Sequence, residues 1–230
     1  MKTIGLIGGM SWESSASYYR LVNEGVRARL GGLHSARTLM YSVDFADIEV
    51  LQREARWEEA GGVLAQAARR LEAGGAELLV LCTNTMHRVA AAIEAAVAIP
   101  LVHIADATAA RIRARSLETV GLLGTRFTME EAFYKDRLAE RHGLKVLVPD
   151  AEERQRVHGV IYDELCQGEV RPGSKAEYVR IMETMAAAGA QGIILGCTEI
   201  GLLVGEGDAR VPLFDTARIH AEAAVDLALA

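Results

Sequence analysis

Thr3-Ile-Gly-Leu-Ile-Gly8 and Thr119-Val-Gly-Leu-Leu-Gly124 share one pattern, a threonine, three apolar positions and two glycines in the same places, 116 residues apart. A second pair follows in the same order: Gly75-Ala-Glu-Leu-Leu-Val-Leu81 and Gly189-Ala-Gln-Gly-Ile-Ile-Leu195, at an offset of 114. Two matches at nearly one spacing indicate a duplicated unit of roughly 115 residues. Within each unit, short Ile/Leu/Val runs bounded by glycine read as buried parallel strands. They are Thr3–Ile7, Leu39–Val43, Leu78–Leu81, Leu101–His103, Val120–Leu123, Lys145–Val148 and Ile193–Leu195. Segments of helical periodicity lie between them, among them Glu58–Ala73, Met86–Ala96 and Ser174–Ala188. Gly74-Gly75 and Gly189 stand where helices end before a strand. Alternating strands and helices without long polar linkers predict an α/β fold with parallel sheets. The duplication divides it into two pseudo-symmetric flavodoxin-like lobes. The first takes residues 1–100 with the tail 210–230, where a strand Val211–Phe214 and a helix return to it; the second takes 101–209.

The 230 residues are 50% apolar and 24% charged, with a formal net charge of −6. That supports an ordered core and argues against a basic nucleic-acid or anionic-membrane surface. No apolar run reaches the ~18 residues of a membrane span, and the N-terminus lacks a signal-peptide core. Three cysteines, Cys82, Cys166 and Cys197, make no closed disulfide framework, which points to a reducing cytoplasm.

Ligands of parallel α/β sheets bind beyond the carboxyl ends of the strands, so the active site is expected in the cleft between the lobes. Four strand ends carry unusual sequences: Gly8-Gly9-Met10-Ser11, Cys82-Thr83-Asn84-Thr85, Gly124-Thr125-Arg126 and Gly196-Cys197-Thr198-Glu199. The Gly5–Ser11 turn lacks dinucleotide spacing, and its functional reading is a nest of bare N–H groups for a carboxylate. Cys197, between a strand and a helix start, is the sharpest candidate, because a helix dipole there favours its thiolate. Cys166 has helical neighbours only and reads as filler. The offset of 114 pairs Cys197 with Thr83, not Cys82; a one-residue shift in a strand would turn Cys82 to the opposite face, and a slip of one in that register would make Cys82 the substrate-facing or assisting residue instead. One proton-carrying group from each lobe suits inversion of a stereocentre beside a carboxylate. The thiol, with an ordinary pKa of ~8.5, is the abler base, and a threonine hydroxyl can deliver or relay a proton.

Ile4-Gly-Leu-Ile-Gly-Gly-Met-Ser-Trp-Glu-Ser14, Cys82-Thr-Asn-Thr-Met-His87, Leu123-Gly-Thr125 and Leu195-Gly-Cys-Thr-Glu-Ile200 span nearly the whole chain in order. In these segments the chain resembles the cofactor-independent aspartate/glutamate racemase family, and closely its enteric-type members. The resemblance implies two flavodoxin-like lobes, a homodimer, a small dicarboxylic amino acid as substrate, neither pyridoxal phosphate nor metal, and a cysteine from each lobe as the two bases. The chain departs from that pattern where Thr83, not cysteine, precedes Asn84. Cys197 is then expected on the L face and Thr83 on the D side, with turnover biased toward L substrates.

Arg53, in Gln52-Arg-Glu-Ala-Arg-Trp57, falls where the family supplies a side-chain-carboxylate arginine, with Arg56 as the spare. Lys175 is the nearest option for a second-lobe cation. Asn84, Thr85, Thr125 and Thr198, with the N–H groups around Met10 and Ser11, would orient the α-carboxylate. Glu199 either tunes Cys197 or is a dipole-matched surface charge. Neither His87 nor His103 shows metal spacing, and His34, His142, His158 and His220 read as structural. A related dicarboxylate isomerase or decarboxylase, a hydantoin or broad-specificity racemase, a small-anion binding module and a cysteine hydrolase are the alternatives. One methylene in a pocket does not decide between aspartate and glutamate.

Overall fold

Ile4–Gly8 (β1) is apolar at every non-glycine position and wholly buried, as a central strand covered on both faces must be. In the computed structural model, which describes all residues from Met1 to Ala230, it pairs in parallel with Thr38–Ser42 (β2) and Leu78–Leu81 (β3). Leu101–Val102 (β4) closes the order β2-β1-β3-β4. The second sheet repeats this as β6-β5-β7-β8, from Thr119–Gly124 (β5), Lys145–Leu147 (β6), Ile193–Gly196 (β7) and Leu213–Asp215 (β8), again all parallel. Each is the flavodoxin order less its last strand.

The helices are α1 (Trp12–Leu30), α2 (Phe45–Arg53), α3 (Trp57–Ala73), α4 (Ala90–Glu94), α5 (Ile104–Arg113), α6 (Arg126–Glu130), α7 (Ala132–Asp136), α8 (Ala151–Asp163), α9 (Pro172–Ala187), α10 (Ile200–Leu203) and α11 (Thr216–Leu229). Ser11 caps α1, Asp150 caps α8, and Pro172 opens α9, where its missing N–H costs nothing. In α3, Ala60, Leu64, Ala67, Ala68 and Leu71 form one apolar stripe, packed with Ile7, Leu79 and Leu81 of the first sheet. Truncating Leu64 to alanine there costs about 2–5 kcal/mol.

Two compact units result: Met1–Ile104 with His220–Ala230, and Ala105–Ile219. The tail therefore does not return to the first lobe at residue 210. Its strand joins the second sheet beside β7, burying Phe214, and only the part of α11 from His220 onward belongs to the first unit. The physical anchor is His220, bonded to Tyr18 and to the Val102 carbonyl, with the Lys2 N–H donating to the Ala228 carbonyl. The helix expected over Met86–Ala96 is instead a 3-10 turn, Thr85–Val89, followed by the short α4.

Candidate active site

In an open parallel sheet the ligand-binding crevice lies where the strand order reverses, here between β1 and β3 and between β5 and β7. In the first unit Ile7 is in register with Leu81, which puts Gly8-Gly9 beside Cys82-Thr83. Gly9 has φ +93°, and a Cβ there would lie 2.1 Å from the Val43 carbonyl oxygen, so only glycine fits. Its N–H donates to Ser15 Oγ at 2.7 Å, and that hydroxyl donates to the Ser11 carbonyl at 2.9 Å. Ser11 Oγ in turn accepts from the Ser14 N–H at 3.3 Å. The expected nest is thus already occupied at Gly9 by a side chain of the same helix. Just beyond β3 the Thr83 N–H bonds back to the Leu81 carbonyl at 2.8 Å, which bends the chain out of the strand. Cys82 is wholly buried, and burial pushes its thiol far above the ordinary range. Thr83 keeps 7% of its surface exposed.

The second unit has the same register. Gly124 lies opposite Gly196, and a Cβ on Gly124 would meet the Gly196 carbonyl at 2.8 Å, so these two glycines let the strand ends close up. Thr125 and Cys197 follow directly. Thr125 Oγ1 caps α6 by accepting from the Thr128 N–H at 3.3 Å. The Cys197 thiol donates to Glu199 Oε2 at 3.0 Å, and the Thr198 hydroxyl donates to the same oxygen at 2.7 Å. Burial, and then the Glu199 charge, hold the Cys197 thiol well above its usual range, so the resting sulfur carries its proton. Glu199, 3% exposed, is not a surface charge.

The Asp/Glu/Hydantoin racemase family model matches residues 7–224. The chain belongs to this family. Over the full length of both chains it is 54% identical, with a TM-score of 0.93, to a candidate Asp/Glu racemase from Yersinia pestis. It is 38% identical, TM-score 0.87, to an aspartate racemase homologue from Pyrococcus horikoshii OT3, again over both whole chains. The Picrophilus torridus aspartate racemase, 18% identical over 99% of this chain and 94% of that one, shares the fold at a TM-score of 0.79. The protein is an amino-acid racemase.

The racemase brings Met10, Ser11, Thr83, Asn84 and Thr85 together at the β1/β3 ends, all of them buried, and Thr125, Cys197 and Thr198 at the β5/β7 ends. The expected cations are each paired with a nearby carboxylate. Arg53 is exposed at the end of α2 and paired with Glu49 at 3.1 Å; Arg56 is exposed between Glu54 and Glu59. Lys175 binds Asp208 at 2.9 Å and holds that carboxyl below its usual range. Arg126, not among the expected site residues, directly follows Thr125 at the start of α6. Its N–H donates to His158 Nδ1 at 3.3 Å, its guanidinium lies over the Phe127 ring, and burial with the nearby Arg126 charge lowers the His158 pKa. Its only sequence signal was its position at a strand end. No helix is long and apolar enough to cross a membrane, and no group of three or more His, Cys, Asp or Glu side chains forms a candidate metal site.

Proposed function

We propose that this racemase interconverts the L and D forms of aspartate or glutamate, with Cys197 acting on the L face of Cα and Thr83 on the opposite face. The observation that carries the reading is positional: in two sheets of the same order, Thr83 and Cys197 each stand two residues past equivalent strand positions, Leu81 of β3 and Leu195 of β7, beside the strand reversal. As a base, Cys197 must first give up its proton, and Glu199 Oε2 at 3.0 Å is the acceptor in reach. The thiolate then takes the Cα proton as the C–H bond breaks, and Thr83 delivers its hydroxyl proton to the other face. Solvent water returns a proton to the Thr83 oxygen and accepts one from Cys197, so the cycle closes without a cofactor. Donors at Asn84, Thr85, Thr125 and Thr198 suit the α-carboxylate, onto which charge spreads as the carbanion forms.

Enantiomers have equal free energies, so kcat/KM is equal in the two directions. A bias toward L substrates therefore appears as exchange without inversion: Cys197 washes out the L α-proton faster than Thr83 inverts the centre. Each enantiomer of aspartate and glutamate, incubated in deuterated water and read at the α-proton, tests this. Cys197→Ala should lose ~100-fold or more of the exchange, and Thr83→Val should lose inversion while L exchange persists. Equal washout from both enantiomers, abolished by Cys197→Ala and untouched by Thr83→Val, overturns the assignment.

The reading includes a cytoplasmic location and a homodimer, and one face of α1 supports the dimer. Trp12, Tyr19 and Leu30 are exposed and, at ~100° per residue, lie within about 20° of one line that runs ~27 Å. Leu33 is fully exposed on a loop that Asn23 pins through the Ala36 N–H at 3.0 Å. It forms part of the wall of a groove of about 470 Å³, with Tyr19, Asn23 and Arg27. A fixed apolar knob at the wall of a groove on one patch is self-complementary under a two-fold axis.

A further inference from the structure

We propose that His87 is a positioning residue for Thr83, an inference that rests on the two-face reading above. His87 lies four residues after Thr83, on the 3-10 turn Thr85–Val89, and is 3% exposed. Its Nε2 accepts the Ile104 N–H at 3.2 Å, because a backbone amide only donates. Its Nδ1 lies 2.8 Å from the Thr83 carbonyl oxygen, which only accepts, so Nδ1 carries the proton. One neutral tautomer satisfies both bonds. The helical route is closed to that carbonyl, since the His87 N–H goes to the Asn84 carbonyl at 3.1 Å. The ring thus takes the place of a turn of helix in setting the Thr83 peptide plane, and with it the direction of the Thr83 side chain. It is braced edge-on by His103 and His220, with ring centroids at 4.5 and 5.7 Å.

Placement matters more for Thr83 than for Cys197. A hydroxyl that stays protonated at neutral pH transfers its proton only when held close to Cα and in line with it, and a misplacement of ~1 Å can cost ~100-fold. His87 thereby governs inversion and leaves the Cys197 face alone.

Two variants divide the ring between them. In His87→Asn the amide nitrogen can stand at the Nδ1 position and donate to the Thr83 carbonyl. In His87→Gln the amide oxygen can stand at the Nε2 position and accept from Ile104, while the donor to Thr83 is gone. With L-aspartate and L-glutamate in deuterated water, the readout is the ratio of inverted to non-inverted deuterated product. We expect His87→Gln to lower that ratio by ~10-fold or more, His87→Asn to hold it near wild type, and L exchange in both to stay within about threefold of wild type. Equal losses of exchange and inversion, or His87→Asn no better than His87→Gln, overturn the proposal. If Thr83→Val leaves inversion intact, the two-face reading fails instead. A measurement on the unaltered enzyme guards against variants that do not fold: nitrogen-15 NMR should show His87 as the Nδ1–H tautomer, and an Nε2–H tautomer overturns the clamp.

Discussion

Replacing His220 by glutamine should flatten the acid limb of the racemase's stability. His220 is wholly buried; its Nε2–H donates to the Val102 carbonyl at 2.7 Å, and its Nδ1 accepts the Tyr18 hydroxyl at 2.8 Å. Burial lowers its pKa from 6.5 to about 4, against a smaller opposing effect of the Val102 carbonyl. The unfolded chain therefore takes up this proton from about pH 6.5 downward, whereas the folded chain resists until about pH 4. Stability is complete above the unfolded value, falls as pH drops through that window, and levels off below it. At ~1.4 kcal/mol per tenfold the whole window is worth about 3 kcal/mol. In a chain of this size that is a fall of ~6–12 °C in Tm. Urea unfolding of wild type and His220→Gln from pH 7.5 to 4.5 measures it, because the carboxylates common to both cancel in the difference. The variant should start lower, having lost the imidazole acceptor of the Tyr18 hydroxyl, and lose less on acidification. Stability curves that stay parallel across the range refute the reasoning, as does a carbon-13 titration placing His220 near 6.5.

Glu199→Gln removes the carboxylate that takes the Cys197 proton, so exchange of the L α-proton should fall ~100-fold or more; exchange at the wild-type rate contradicts the pairing. Gly9→Ala must give up a φ of +93° and a Cβ position 2.1 Å from the Val43 oxygen, and should lose about 3 kcal/mol or more with most of its activity. Thermal melting within 2 °C of wild type would show that the turn is not confined in this way. Leu33→Asp should shift sedimentation from dimer to monomer while the secondary structure is kept, and unchanged sedimentation removes the α1 face as the interface.

The duplication was legible because buried parallel strands must be apolar throughout and must end in glycine where two backbones approach, as Gly124 and Gly196 do. The equivalent placement of Thr83 and Cys197 after β3 and β7 followed from the same offset. What the residue pattern did not carry was side-chain partnership across the chain. Tyr18 and His220 are 202 positions apart, and nothing near either announces the bond that anchors α11. Arg53 looked like a ligand cation and is engaged by its own helix neighbour Glu49, a contact present in any helix that carries an acid four residues earlier. The Gly8-Gly9 turn looked open because its filler, Ser15, comes from the helix that follows.

The two units agree in strand order and register, and they differ in the partners of two equivalent residues. By the offset of 114, the position of Glu199 is Thr85 in the first unit, and the position of His87 is Gly201 in the second. Gly201 has no side chain to reach a main-chain carbonyl, and a Cβ there would lie 3.0 Å from Asp215 Oδ2. Each unit thus has a polar partner where the other has a small or uncharged residue, and the partners act on different parts of the residue they serve. Glu199 reaches the side-chain sulfur of Cys197, and His87 reaches the main-chain carbonyl of Thr83. Under the proposed roles, the chemistry of the two groups accounts for the division. A thiol ionises within reach of neutral pH, so a neighbouring charge changes what it can do. A hydroxyl does not ionise there, so a neighbour can help only by fixing its position.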